Sequence, residues 1–258
     1  FIFIIQPARE DLLEHSRHEG TVRLGYSPEP PFSYVDQNGR VTGAWPEVAR
    51  KVLERMGIPR TEWVQREFGL LLDELNEGRF DIVSMGMYVT PEREKIVAFS
   101  VPTALIPEGL LVPRGNPLSL KGYADAAGRT NVVTAVLDGA VEDALLRRWA
   151  ALPERILRVP DVLSGVAAVK AGRAAALALT LPTVFFLAHS DETLEALPAF
   201  SSSEAGAGAE PAAYAFRKED RRFREAFDRA LKEFMATPEY LETIRPFGFD
   251  ETMRPPAK

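Results

Sequence analysis

Residues 81–93 have the sequence DIVSMGMYVTPER, a short apolar run that leads through a glycine into a helix-start signal. Residues 81–83 predict a short buried strand, and residues 84–87 predict a loop. Thr90 is a good N-cap, and Pro91 suits the first helical position because its missing N–H costs nothing there. The stretch therefore predicts a strand followed by a helix, the unit from which α/β folds with parallel sheets are built.

The same alternation continues on both sides of this stretch. Upstream, the pattern predicts strands at residues 22–24 and 63–68, and helices at residues 71–76 and around the apolar stripe of Val48, Val52, Leu53 and Met56. Downstream, it predicts strands at residues 102–112, 132–136, 156–159, 175–179 and 212–216, and helices at residues 141–149 and 162–170. A last helix carries Phe223, Phe227, Leu231 and Phe234 at helical spacing.

Two β/α series separated by loop-like segments predict two lobes joined by two connections. Residues 21–102 together with 211–258 are expected to form the first lobe and residues 103–210 the second. Residues 1–20 are expected to be an N-terminal extension. The predicted hinges are the proline-containing residues 102–107 and residues 203–211, which belong to a region rich in Ser, Gly and Ala.

The composition excludes several classes of function. The chain has 258 residues, 46% of them hydrophobic, which is enough for a sizeable core. Its formal net charge is −6 and no stretch gathers Lys and Arg on one face, so nucleic acid is not expected as a partner. The absence of Cys excludes disulfides, thiolate zinc sites, thiol nucleophiles and a lipid anchor on cysteine within these residues. The apolar residues 1–5 are too few to span a bilayer, which needs about 20 residues.

Catalytic and metal-binding motifs are missing from the sequence. It contains three histidines and neither a G-x-S-x-G, a Walker A nor an H-E-x-x-H motif. His15 and His18 could share a helix face and hold a metal ion, but such pairs are usually solvated, so we expect no metal and no cofactor. The residues therefore indicate binding rather than bond-making.

Two helix starts could bind an anion. Arg93 lies in a first turn, where the helix dipole opposes a cation, so either an anion lies nearby or a local Glu pairs with a surface Arg93. Gly86 would let a ligand approach the backbone closely. Gly139, Ala140 and Val141 open a second helix that contains Glu142, and they form either another anion cradle or an ordinary loop.

Three aromatic residues follow or end separate strands: Phe32, Phe68 and Tyr88. Ligands of open parallel sheets bind outside the carboxyl ends of the strands, where these rings should gather. A single such ring is more often core or hinge packing. Together with Glu29, however, the rings could form a box for a delocalised or quaternary cation, at about 0.5 to 2 kcal/mol per ring. With Arg93 at the other end, the site would suit a small zwitterion.

The motifs also resemble those of a known family. They are residues 25–32 (GYSPEPPF), 78–81 (GRFD), 85–87 (MGM), 90–93 (TPER), 97–100 (VAFS), 171–173 (AGR) and 216–220 (FRKED). Over residues 21–249 the chain resembles the family 3 solute-binding proteins of polar amino acid ABC importers. The resemblance implies the two-lobed type II periplasmic-binding-protein fold, in which two α/β lobes with mostly parallel sheets and a double hinge close over the ligand.

The same resemblance implies roles and partners. Arg93 would clamp the ligand carboxylate, helped by the backbone N–H groups of Tyr88 and Val141. The protein would be a monomer that works outside the cytoplasmic membrane, in the periplasm or tethered by a segment absent from this chain. It would deliver its ligand to an ABC importer permease.

One position departs from the amino acid binders of this family. Thr180 stands where they usually carry an Asp that pairs with the ligand's α-ammonium, and an ammonium buried there without a partner would be costly. The set Glu29, Phe32, Phe68, Tyr88 and Arg93 is instead similar to the ectoine- and hydroxyectoine-binding subfamily, as are residues 67–69 and 245–249. Thr180 could then hydrogen-bond a carboxylate or a hydroxyl substituent.

Three alternatives remain open from the sequence. The first is a binding protein for a polar or cationic amino acid, in which Glu29 replaces the missing Asp. The second is a dehydratase-like enzyme on the same fold, for which Glu29 is the one candidate general acid. The third is the sensor domain of a receptor. A zwitterion-binding transport protein without enzymatic activity, with ectoine or hydroxyectoine as ligand, is the favoured prediction.

Overall fold

The computed structural model describes residues 11–199 and 209–255. The first sheet contains six strands, β1 (Thr21–Tyr26), β4 (Arg60–Gln65), β5 (Ile82–Tyr88), β6 (Ala98–Phe99), β7 (Ala104–Ile106) and β13 (Glu210–Phe216). β1 pairs in parallel with both β4 and β5, whereas β13 runs antiparallel to β5, β6 and β7. A parallel group of three strands thus continues into antiparallel pairs along one side.

Most of the helices of this lobe bury apolar residues, and the shortest, of four residues, buries Arg93. The helices are α1 (Leu12–Glu19), α2 (Ala44–Arg55), α3 (Leu71–Asn76), α4 (Pro91–Glu94), α9 (Arg221–Met235) and α10 (Pro238–Ile244), and a small hairpin joins β2 (Tyr34–Val35) to β3 (Val41–Thr42). The three phenylalanines and the leucine predicted on one helical stripe are all buried on α9, as are the predicted stripe of α2 and the Met56 that follows it. These helices and the hairpin complete the first lobe.

The second sheet contains five strands in the order β10-β9-β11-β8-β12. Their bounds are β8 (Glu108–Pro113), β9 (Thr134–Leu137), β10 (Ile156–Val159), β11 (Ala176–Thr180) and β12 (Leu194–Pro198). β9 pairs in parallel with β10 and β11, and β8 is antiparallel to β11 and β12. The helices of this lobe are α5 (Tyr123–Gly128), α6 (Val141–Arg148), α7 (Val162–Lys170) and α8 (Leu181–Ser190). Two lobes with separate sheets and separate apolar clusters confirm the α/β prediction.

The chain passes from one lobe to the other at Pro107. The region predicted as one strand, residues 102–112, is divided there into β7 of the first sheet and β8 of the second. Pro107 has no N–H group to donate to a neighbouring strand. Its carbonyl accepts a hydrogen bond from the Leu181 N–H at 2.7 Å. The return passage follows β12. Residues 203–208 of the predicted second hinge lie outside the described residues, and the exact lobe boundaries stay predictions.

Several details differ from the expected elements. Residues 84–87, predicted as a loop, belong to the strand β5. The strand predicted at residues 63–68 ends at Gln65, and Phe68 instead opens a 3₁₀ turn, Phe68–Leu70. The parallel pairing does not reach this far, because after Tyr26 the partner strand turns away and only Arg66 N–H still bonds the Tyr26 carbonyl, at 2.9 Å. In addition, α8 and β12 follow the strand that the sequence predicted as the last one of the second lobe.

Candidate functional site

The candidate site is a narrow cavity between the two lobes. Nine of the ten predicted residues line it: Glu29, Phe32, Phe68, Gly86, Tyr88 and Arg93 from the first lobe, and Ala140, Val141 and Thr180 from the second. The tenth, Gly139, contributes its carbonyl oxygen to Arg93. The cavity measures about 20 Å³, room for little more than one water molecule. A larger ligand can enter only if the lobes separate.

Glu29 connects the lobes at one side of this cavity. It follows β1 in a tight turn, where its N–H bonds the carbonyl of Ser33 at 2.7 Å. Its carboxyl group accepts hydrogen bonds from the hydroxyls of Thr183, at 2.9 Å, and Thr180, at 3.4 Å. Burial raises the pKa of Glu29 to about 7, the charge of Glu142 adds to the rise, and the two hydroxyls oppose it. The carboxyl therefore changes charge near neutral pH.

The aromatic side chains are fixed by the core behind them. The Phe32 ring lies 5.0 Å from the Trp45 ring and 5.1 Å from the Phe249 ring, measured between centroids. Tyr88 is buried, and its hydroxyl donates to the carbonyl of Ile106 at 3.2 Å. Its hydroxyl thus contacts the backbone just before the lobe crossing, and it also interacts with the Glu108 carboxyl. The rings offer a rigid, largely apolar surface of the kind that stacks on a flat cation.

Gly86 lies in β5 with a φ of 73°, a backbone conformation that favours glycine. A Cβ atom there would lie 2.8 Å from Phe32 Cδ1 and 2.9 Å from the Trp45 ring. The sequence argument gave Gly86 the role of admitting a ligand. In the structure its first effect is to let two aromatic rings pack against the strand.

Arg93 is buried, with 8% of its surface exposed. Its N–H bonds the Thr90 hydroxyl at 3.2 Å, which confirms Thr90 as the N-cap. Its guanidinium donates to the carbonyls of Tyr88, at 2.9 Å, and Gly139, at 3.2 Å, and lies 5.5 Å from the centroid of Phe68. The interpretation of a surface arginine paired with a local Glu is wrong, since within the described chain Arg93 makes no ion pair.

The positive charge of Arg93 is therefore compensated only by neutral carbonyls and by more distant acids. Burial lowers its pKa, and the charge of Glu142 opposes that shift. An arginine stays protonated even so, because its unperturbed pKa lies far above neutral pH. A ligand carboxylate would supply the bidentate partner that a guanidinium fork suits best.

The second lobe presents two helix starts to the cavity. α6 begins at Val141 after Ala140, which provides no side-chain cap, and the Ala140 N–H is already used by the carbonyl of Leu137 at 3.1 Å. Thr180 ends β11 and caps α8, where it accepts a hydrogen bond from the Thr183 N–H at 3.4 Å. The Thr180 and Thr183 hydroxyls are 2.9 Å apart. Thr180 is thus part of a hydroxyl pair that faces Glu29.

Four functional candidates were missed by the sequence argument: Thr183, Glu142, Glu108 and Tyr123. Thr183 sits three residues after a cap, where a side chain regularly faces the helix start. Glu142 lines the cavity. From the sequence, an acid in the first turn of a helix indicates only a favourable interaction with the helix dipole. Glu108 is an acid inside an apolar run of the sequence. That pattern could have predicted a buried carboxyl group.

The described residues offer no evidence for a metal ion or a membrane span. Within residues 11–199 and 209–255, no three His, Asp or Glu side chains come close enough to hold a metal ion. His15 and His18 lie on α1 and are exposed. In the same part of the chain, no helix has the length and apolar character needed to cross a membrane.

Both the sequence and the fold resemble those of known proteins. The model of the bacterial extracellular solute-binding proteins, family 3, matches residues 22–249. A probable amino-acid ABC transporter periplasmic-binding protein, y4tE of Sinorhizobium fredii, is 32% identical over 241 residues, which are 92% of this chain and 80% of that protein. The structure of EhuB in complex with hydroxyectoine has a TM-score of 0.85 and 31% identity, covering 93% of both chains. An ancestral amino acid-binding protein, AncCDT-1, a precursor of cyclohexadienyl dehydratase, has a TM-score of 0.79 and 26% identity, covering 91% of this chain and 99% of its own.

Proposed function

The chain belongs to the bacterial extracellular solute-binding proteins of family 3, and from that premise we propose that it captures ectoine or hydroxyectoine between its two lobes. Membership implies a small-molecule ligand, an ABC importer of the amino-acid type as the membrane partner, and a periplasmic location. The identity of the ligand is the part that we infer from the cavity.

The observation that carries this proposal is the placement of one buried cation and one buried acid around the same set of rings. Arg93 lies beside Phe68, and Glu29 lies on the Thr180 side. Phe32 and Tyr88 line the same cavity. A flat zwitterion with a delocalised cation could place its carboxylate on Arg93 and its cation among the rings with Glu29. The similarity to EhuB in complex with hydroxyectoine supports the same ligand class.

Binding would close the lobes because the same groups make contacts across the cleft. Glu29 of the first lobe meets Thr183 of the second, and Arg93 meets the carbonyl of Gly139. In the open state these polar groups would face water. A ligand that bridges Arg93 and Glu29 compensates both charges as water leaves, which lets the cross-lobe contacts form around it.

The alternative ligand is a polar or cationic amino acid. Glu142 favours it, because this second acid in the cavity could bind an ammonium in place of the Asp that Thr180 replaces. The amino-acid transport name of the Sinorhizobium fredii relative is consistent with it. The tests below therefore include both classes of ligand.

A purely binding role without catalysis also stays a prediction. Beside Glu29, the structure adds Glu142 and Glu108 as buried acids with raised pKa values, and such groups can act as general acids. We favour binding because the members of this family are binding proteins. The monomeric state, the absence of a nucleic-acid partner and the membrane tether likewise stay predictions.

Isothermal titration calorimetry of ligand-stripped protein tests the proposal. The panel is ectoine, hydroxyectoine, glycine betaine and a set of polar amino acids. Micromolar or tighter binding, about −8 kcal/mol, is expected for the ectoines alone. Tight binding of an amino acid and none of ectoines would contradict the ligand assignment while leaving the transport role intact.

The variant Arg93→Ala should weaken binding of the best ligand by about 2 to 5 kcal/mol, since a buried carboxylate would lose its charged partner. The matched control is Arg79→Ala. Arg79 is exposed, pairs with Glu77 at 3.3 Å and precedes β5 at the strand end away from the cavity. Equal affinities of the two variants would remove Arg93 from the binding site.

A further inference from the structure

A pair of buried carboxyl groups meets at the wall of the cavity. Glu142, the second residue of α6, is 5% exposed and lines the cavity. Glu108, the first residue of β8, is 2% exposed. The Tyr123 hydroxyl donates to Glu108 Oε2 at 3.2 Å, and the Glu108 carboxyl also interacts with the Tyr88 hydroxyl and with Glu142. Two acids have thus been removed from water without a cation between them.

The two carboxyl groups also interact with each other. Burial and the charge of Glu142 raise the pKa of Glu108 well above its usual range. Burial also raises the pKa of Glu142, but its own backbone N–H, the charge of Arg93 and a hydrogen bond with Glu108 oppose that rise. Two carboxyl groups can share a hydrogen bond only if one of them holds a proton. The proton belongs on Glu108, which lies farther from the cation, so Glu142 carries the negative charge at the cavity wall.

Glu142 has no salt-bridge partner among the described residues. The charged groups that act on it across the cavity are Arg93 and Glu29. The Glu142 carboxylate accepts hydrogen bonds from its own backbone N–H and from Glu108, and because a carboxylate has about four acceptor sites, it can accept a further donor from the cavity. A buried charge without an ion-pair partner is costly, and a hydrogen-bond donor on the ligand would lower that cost.

We propose that Glu142 is a specificity-determining residue whose carboxylate accepts a hydrogen bond from a hydroxyl or ammonium group on the bound solute. Glu108 is its positioning residue, which fixes the Glu142 carboxylate through the shared proton. The inference rests on the proposed function and extends it, because the preferred solute carries a hydrogen-bond donor in addition to its carboxylate and its cationic head. Among the compatible solutes, the hydroxylated form is then preferred.

The test compares pairs of ligands that differ by one donor. Calorimetry measures the affinity ratio of hydroxyectoine to ectoine and of ornithine to norvaline, in the wild type and in Glu142→Leu. In the class of solute that binds, the wild type favours the donor-bearing member by at least about tenfold. Glu142→Leu brings that ratio close to one, whereas a general structural defect would lower both affinities by a similar factor and keep the ratio.

Asp143→Asn is the matched control, because Asp143 follows Glu142 on α6 but pairs with Arg147 and Arg158 on the surface. It should keep the wild-type ratio. Glu142→Gln keeps the size of the side chain and removes its charge, so it should also lower the affinity ratio. This variant replaces Glu142→Leu in the test if the leucine variant does not fold. A wild-type ratio of one, or a ratio that Glu142→Leu leaves unchanged, overturns the inference. Failure of every solute to bind overturns the proposed function, and the inference with it.

Discussion

Glu29 combines burial with a pKa of about 7, and this makes its charge responsive to conditions. The folded-state pKa lies above the ordinary value of 4.5, so the protonated form is favoured by folding. Its contribution to stability is present below pH 4.5 and is lost as the pH rises through 7. A bound cation reverses this effect, because it stabilises the ionised carboxylate. Ligand affinity and the stability of the free protein should therefore depend on pH in opposite directions.

The first prediction concerns this pH dependence. Binding of a ligand cation requires ionised Glu29, and about a tenth of the molecules have it at pH 6 compared with about nine tenths at pH 8. The dissociation constant should thus be about tenfold higher at pH 6 than at pH 8, as measured by calorimetry. Glu29→Gln should bind more weakly and with a flat profile. A flat profile in the wild type would contradict the assigned role of Glu29.

The strand-to-helix unit formed by β5 and α4 provides much of the site in the first lobe. Its strand contributes Gly86 and Tyr88, and the short helix contributes Arg93, whose guanidinium turns back to the Tyr88 carbonyl. Gly86 sets the contact between this unit and α2, since the rings of Phe32 and Trp45 occupy the space of its absent side chain. One glycine therefore couples the strand to the aromatic wall of the cavity.

Replacement of Gly86 tests this coupling. Gly86→Ala should destabilise the protein by about 2 to 4 kcal/mol, combining the positive φ with overpacking against two rings, and it should also weaken ligand binding. Gly57→Ala is the control, because Gly57 has a φ of 82° and nothing within 4 Å of the added Cβ. Urea denaturation measures both. Equal losses of stability in the two variants would show that the Phe32 and Trp45 rings move aside at little cost. The positive φ alone would then account for the destabilisation.

Elements with regular periodicity were predictable from the sequence, and those that depend on tertiary contacts were not. The stripe of α9 and the cap at Thr90 follow from local rules, and the structure has both. Phe68 was expected at a strand end, but the parallel register ends at Gln65 and the chain turns. Glu108 was missed because an acid in an apolar run gains its meaning only from Glu142 and Tyr123, which come from other elements.

At the scale of the whole molecule, contacts across the cleft hold the two lobes together. Beside the polar pairs already described, the rings of Tyr34 on β2 and Phe186 on α8 are 5.9 Å apart. Glu29 and Thr183 are separated by 154 positions in the chain, so no local pattern could have paired them. Most of the residues that line the cavity were predictable from motifs, whereas the contacts that close the cleft required the structure.

The crystal structure of the protein grown with hydroxyectoine tests the central claim most directly. We predict the carboxylate on the Arg93 guanidinium, the ring between Phe32, Phe68 and Tyr88, and the cation within hydrogen-bond distance of Glu29. The hydroxyl should face Glu142. A solute bound outside the cleft, or bound in the cleft without contact to either Arg93 or Glu29, would contradict the account.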